Sequence, residues 1–147
     1  ELLSPEEYVV SWNRRLRQYA ENPERNSPAT RIQEAFWSNA DVGSLPYQRG
    51  DLVALLVDRA IDRASRGERN LDDLMRALVA RSRAGEVDFE VVELLDAIAA
   101  ASDAETAARV RAIVVDGTDV VLGEDFDLPD RTLALEPGGY YQVMSKR

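Results

Sequence analysis

Apolar residues recur along most of this chain with the period of a helix, and they stop doing so near residue 116. From Tyr47 to Ser65 they fall at Val53, Leu56, Val57, Ala60, Ile61 and Ala64, the i, i+3, i+4, i+7 spacing of one helix face. Leu52 and Leu55 lie outside that stripe, which predicts a helix buried on more than one side. Tyr47 shares a different face with Gly50, Asp51, Ala54 and Asp58. A phenol at the start of a helix, off its main stripe, is well placed to look into a cleft.

The same spacing predicts the other helices. Ser4-Pro5-Glu6-Glu7 is a capping box with proline at the first helical position, opening a helix to about Ala20 with Val9, Trp12, Leu16 and Tyr19 inward. Asn22-Pro23 and Asn26-Ser27-Pro28 mark a loop. A short helix over Thr30 to Trp37 carries Ile32, Ala35 and Phe36, and Ser38 to Pro46 reads as a loop delivering Tyr47. Past the Arg66-Gly67 stop, Asn70 caps a helix with Leu71, Leu74, Met75, Leu78 and Val79 on its apolar face, ended by Gly85. Asp88 is expected to cap the next, with Val91, Leu94, Leu95 and Ile98 inside. Ser102-Asp103-Ala104-Glu105 reads as a capping box before Ala107, Val110, Ile113 and Val114.

After Asp116-Gly117-Thr118 short β-prone runs take over: Val120 to Leu122, Thr132 to Leu135 and Tyr140 to Met144. Pro137-Gly138-Gly139 turns the last two into a hairpin. The predicted fold is mainly α, an array of about five to six helices with a small β-hairpin tail at the C-terminus. Residues 1–116 form the helical domain in this reading, and 117–147 a short β-rich tail packed on it. A chain of 147 residues supports one domain with a core. Glu1-Leu2-Leu3-Ser4 has neither signal-peptide regions nor an initiator Met, and reads as a cut inside a longer protein.

Charge and missing residue types narrow the chemistry. A formal charge of −9 argues against nucleic acid as a partner, and no run is long and apolar enough to predict a membrane span. The arginines at 14, 15 and 17 read as a solvated helix face. With no cysteine and no histidine, the chain by itself builds no thiolate or histidine-ligated zinc site and no Ser-His-Asp triad. Asp72 and Asp73 suit the positive end of a helix dipole better than a metal. Glu124, Asp125 and Asp127 lack the pattern of a calcium loop and read as a solvated loop. Asp58 and Asp62 are expected to form i, i+4 ion pairs with Arg59, Arg63 or Arg66 rather than act as paired catalytic carboxylates. Taken alone, Tyr47 would be a half-buried tyrosine with a backbone partner.

Pro46-Tyr47-Gln48-Arg49-Gly50 followed by an apolar helix resembles the P-Y-x-K/R-G segment of gluzincin-type zinc aminopeptidases. The longer run through Leu52-Val53-Ala54-Leu55-Leu56, Asp58, Ile61, Ser65-Arg66-Gly67 and Asn70-Leu71-Asp72-Asp73-Leu74-Met75-Arg76 is similar to the glycyl-aminopeptidase family. Asp116-Gly117-Thr118 and Leu3-Ser4-Pro5-Glu6-Glu7-Tyr8 also match segments of that family in the right order. Arg49 replaces its commoner lysine, and Asp62 stands where it usually has arginine.

The resemblance implies the C-terminal helical portion of such an enzyme, the far wall of its cleft, inactive alone. Zinc would be bound outside this chain, by an upstream catalytic domain carrying an H-E-x-x-H helix and a further Glu. Tyr47 would be the catalytic residue supplied here, donating a hydrogen bond to the oxyanion. Arg49 and Asp51 would contact a peptide substrate with a small N-terminal residue. The family implies a periplasmic or exported location. The competing expectation is a non-catalytic helical protein-interaction module that keeps the fold without the chemistry.

Overall fold

The computed structural model describes residues 4–86, 88, 90–122, 125–127 and 131–145. The protein is mainly helical with a small antiparallel tail at its C-terminus, as the periodicity predicts. Among the described residues there are six helices: α1 (Pro5–Glu21), α2 (Ala29–Ala35), α3 (Ala40–Ser65), α4 (Leu71–Arg83), α5 (Val91–Ala101) and α6 (Ala104–Val114). They precede the strands β1 (Asp125–Asp127), β2 (Arg131–Leu135) and β3 (Tyr141–Ser145). By its internal contacts the chain divides into two compact units, 1–50 with 119–147 and 51–118.

In the first unit α1 opens on the predicted capping box. Ser4 Oγ accepts from the Glu7 amide at 3.2 Å and Glu7 Oε2 from the Ser4 amide at 2.8 Å. Leu16 and Tyr19 are buried, while Val9 and Trp12 are only half-buried. The sheet order is β1-β2-β3, all antiparallel, with Leu133 opposite both Phe126 and Val143. The β2–β3 hairpin is closed by bonds from the Gly139 amide to the Glu136 carbonyl and from the Glu136 amide to the Tyr140 carbonyl, both 2.9 Å. The tail is held to α1 by a side chain that imitates a neighbouring strand. Asn13 Oδ1 accepts from the Val143 amide at 2.7 Å, and its Nδ2 donates to the Val143 carbonyl at 3.3 Å. Within the predicted arginine face, Arg17 stacks on the Tyr140 ring, 5.0 Å from its centroid.

Two expectations about the tail are corrected. Val120 to Leu122 is not a strand: its amides are taken by phenols, Val120 donating to Tyr19 Oη at 3.2 Å and Leu122 to Tyr141 Oη at 2.7 Å. Asp125–Asp127, read as solvated loop, is instead paired with β2; Glu124 lies outside the described residues.

In the second unit α4 packs on α5 and α5 on α6. Asn70 caps α4 and Asp73 returns the bond to the Asn70 amide at 3.1 Å. The free Leu71 amide donates to Asp58 Oδ1 at 2.9 Å, so Asp58 fastens the start of α4 and is not in the expected arginine pair. Asp62 does pair with Arg59, at 3.1 Å and i, i+3 spacing. At the end of α4, Gly85 takes φ 73°, with the Glu86 amide on the Arg81 carbonyl and the Gly85 amide on that of Ser82, both 2.9 Å.

The starts of α5 and α6 differ from the expected ones by one or two residues. Asp88 does not cap α5. Glu93 reaches back to accept from the Asp88 and Glu90 amides at 3.0 and 2.9 Å, so α5 opens after Glu90. Asp103, not Ser102, caps α6, accepting from the Thr106 amide at 2.7 Å, while Ser102 ends α5 by donating to the Ile98 carbonyl. In the inward stripe of α6, Ala107, Val110 and Ile113 are buried as expected, while Val114 is only half-buried. In those of α4 and α5, Leu74, Leu78 and Ile98 are buried, but Met75, Val79, Val91 and Leu94 are exposed.

Candidate functional site

The segment around Tyr47 begins earlier than its sequence suggests. Ser38 to Pro46 was expected to be a loop, yet α3 starts at Ala40 and carries Pro46 inside it. Asn39 makes this possible: its Oδ1 accepts from the Asp41 and Val42 amides at 2.9 and 3.3 Å, the two bonds of an N-cap. Proline lacks the amide that would bond the Val42 carbonyl one turn back. Nearby, the buried Asn22 side chain binds the first turns of α3. Its Nδ2 reaches the Asp41 carbonyl at 3.0 Å, Gln48 Oε1 at 2.9 Å and Ser44 Oγ at 3.3 Å.

The early start also changes which residues face inward. Val42, Leu45, Arg49, Leu52, Leu56 and Ala60 fall at i, i+3, i+4 spacing, and all are buried. Arg49, read as a substrate contact, lies on that row and is 3% exposed. Its Nη2 donates to the carbonyls of Arg25 and Ser27 at 2.7 and 2.9 Å, tying the α1–α2 loop to α3. Among the described residues its Nε and Nη1 have no hydrogen-bond partner. Burial pushes the guanidinium below its ordinary pKa, with Tyr19 and Asp119 acting in the opposite direction.

Tyr19 and Asp119 form the neighbouring polar cluster. The phenol donates to Asp119 Oδ1 at 2.7 Å and accepts from the Val120 amide. Burial, then the hydrogen bond to the Asp119 carboxylate, pushes Tyr19 up to about 12. Arg25 Nε stands 3.7 Å from Asp119 Oδ2. In the loop itself, a hydrogen bond from Ser27 and then one from Arg31 hold the Glu24 carboxyl below its ordinary range.

Tyr47 lies seven residues past Ala40, not at the helix start. Its ring is 71% exposed, and among the described residues nothing hydrogen-bonds its hydroxyl, so the half-buried, backbone-bonded tyrosine does not describe it. One turn on, Gly50 is exposed with no atom within 4 Å of where a Cβ would stand. Asp51, on the same face, is half-buried and engaged by a partner. Of the three residues expected at a site, then, Tyr47 lies on the open side of α3, Asp51 on the same side, and Arg49 underneath. Asn22 and Asn39, which set this helix, gave no sequence signal beyond loop punctuation.

Zinc is the metal that the family resemblance implies, and the residues of this chain do not fit it. There is no histidine or cysteine, and among the described residues no group of three or more acids is gathered to hold a metal ion. Among the described residues, no helix is long and apolar enough to cross a membrane. Comparison with known proteins finds no matching family model, no matching curated protein and no matching solved structure.

Proposed function

We propose that this chain is the helical portion of a zinc-dependent aminopeptidase, lining the substrate cleft and contributing Tyr47 as a hydrogen-bond donor to the reacting carbonyl. The observation that carries the reading is the state of Tyr47: a solvent-facing phenol, unengaged among the described residues, on a helix turn fixed from below. A phenol hydroxyl is a neutral donor at neutral pH. Aimed at the oxygen of a carbonyl under attack, it strengthens its bond as negative charge develops there, which lowers the barrier rather than tightening substrate binding.

Arg49 has a different part in this reading from the substrate contact first expected. With Asn22 it anchors the backbone of the turn on which Tyr47 stands. The metal belongs to the upstream catalytic domain, and the substrate class, peptides with a small N-terminal residue, follows from the resemblance alone.

The test is made in the parent polypeptide with glycyl and alanyl anilides. Tyr47→Phe is expected to lower kcat on the order of 100-fold, the usual cost of one oxyanion donor, with KM nearly unchanged. A variant with undiminished kcat removes Tyr47 from the chemistry. This chain alone, mixed with zinc and the same substrates, is expected to give no turnover.

A second reading is the non-catalytic interaction module. It is favoured by apolar side chains left in solvent on α4 and α5: Met75, Val79, Val91, Val92 and Leu94. An upstream segment without H-E-x-x-H decides for it.

A further inference from the structure

The apolar stripe of α4 is wider than its own unit covers. Leu74 and Leu78 are buried, but Met75 and Val79, one position further round, remain 42% and 38% exposed. They lie in a shallow depression of about 510 Å³ lined by Asp72, Met75, Arg76, Val79, Ala80 and Arg83. All six project from one strip of the helix at i, i+3, i+4 spacing.

Reversed on itself, this strip sets opposite charges against one another at its two ends. An acid stands at one end, Asp72 in the first turn, and a base at the other, Arg83 in the last. Laid antiparallel on a copy of itself about a two-fold axis between residues 77 and 78, the strip sets Asp72 against the partner's Arg83. Met75 then meets the partner's Ala80, and Arg76 the partner's Val79. An isologous contact requires this kind of reciprocity. Ala80 lets the two backbones approach closely, and antiparallel helix dipoles attract. Arg83 has no ion pair among the described residues. Asp72 has one, to Arg76 at 3.5 Å, between side chains 76% and 71% exposed, and such a surface pair is readily exchanged.

We propose that this face of α4 docks on α4 of a second copy of the chain, forming an antiparallel two-fold pair. The inference is independent of the peptidase reading. A 13-residue helix is about 20 Å long, so the contact falls at the small end of protein interfaces. The dimer is therefore expected to be weak, with a Kd on the order of 10 to 100 μM as the range to be tested.

Sedimentation equilibrium of the chain across that concentration range is expected to show monomer and dimer in exchange. Asp72→Arg alone and Arg83→Asp alone each set like charges against one another and shift the equilibrium at least tenfold toward monomer. The double variant D72R/R83D restores the opposite-charge pairs and with them the dimer. Both positions are solvent-exposed, and circular dichroism shows whether the helix content of each variant is intact. Should a single reversal fail to fold, Val79→Glu replaces it and is expected to abolish the dimer. A chain that stays monomeric throughout overturns the proposal and leaves the depression to a different protein. So does a dimer indifferent to the single reversals, or one the double variant does not recover.

Discussion

Replacing Tyr19 by Phe removes one hydroxyl from the cluster with Asp119 and Val120, and its cost should depend on pH in a defined direction. The phenol is pushed from 10.0 up to about 12, first by burial and then by its hydrogen bond to the Asp119 carboxylate. A phenol with a raised folded-state pKa favours the native state while it is protonated. That contribution is complete below the unfolded value near pH 10 and is lost as pH rises through about 12. Two units at 1.36 kcal/mol each amount to about 2 to 3 kcal/mol, an order of magnitude that a side chain only 5% exposed can sustain. Urea unfolding of wild type and Tyr19→Phe, followed at steps from pH 8 to 11.5, reads the difference directly. The wild type is expected to be the more stable at pH 8, with most of its advantage gone at pH 11.5. Other titrating groups are common to both proteins and cancel. A gap that stays constant across this range refutes the argument, because the hydroxyl would then owe nothing to its surroundings.

Two glycines of α3 should respond oppositely to alanine. At Gly43 a Cβ would stand 2.6 Å from the Phe36 carbonyl oxygen, so Gly43→Ala is expected to cost about 1 to 3 kcal/mol by denaturant unfolding. Gly50→Ala meets nothing within 4 Å and should add about 0.5 to 1 kcal/mol through the restricted unfolded chain. The Asp103 carboxyl is held below its ordinary pKa, chiefly by the Thr106 amide it caps. Its contribution is therefore present above pH 4 and lost as pH falls through the lowered value. Asp103→Ala should cost about 1 kcal/mol at pH 7, the usual worth of such a cap, and progressively less as thermal melts are taken to more acid pH.

Much of the architecture could be read from spacing because helices announce themselves through capping residues and period. Ser4, Asn70 and the stop at Arg66-Gly67 did so, as did the turn at Pro137-Gly138-Gly139. The start of α3 was hidden by Pro46, which as a single residue argues for a loop. The capping side chain of Asn39 and the burial of Val42 and Leu45 outweigh it, and that burial rests on distant contacts that no local pattern reveals. The misplaced start carried a further error with it. Once the helix includes Val42 and Leu45, Arg49 falls on the buried row, and a charged residue expected to contact substrate becomes an anchor. Tyr47 was legible as a residue off the apolar stripe, since that depends only on the angle around the helix. Met75 and Val79 show the opposite limit: periodicity identifies an apolar stripe but not how much of it a neighbour covers.

Asn13 spans the hydrogen-bonding pair of Val143 on β3, the outer strand of the sheet. It does the work of a missing neighbour with a single amide group, so α1 serves as a hem on that border. Proteolysis in the loop after Glu21, followed by loss of the first helix, would strip the hem away. The bared strand, which carries Tyr141 and Val143, would then be a template for adding strands from other molecules. By occupying that border, α1 is in that sense a guard against fibrous assembly.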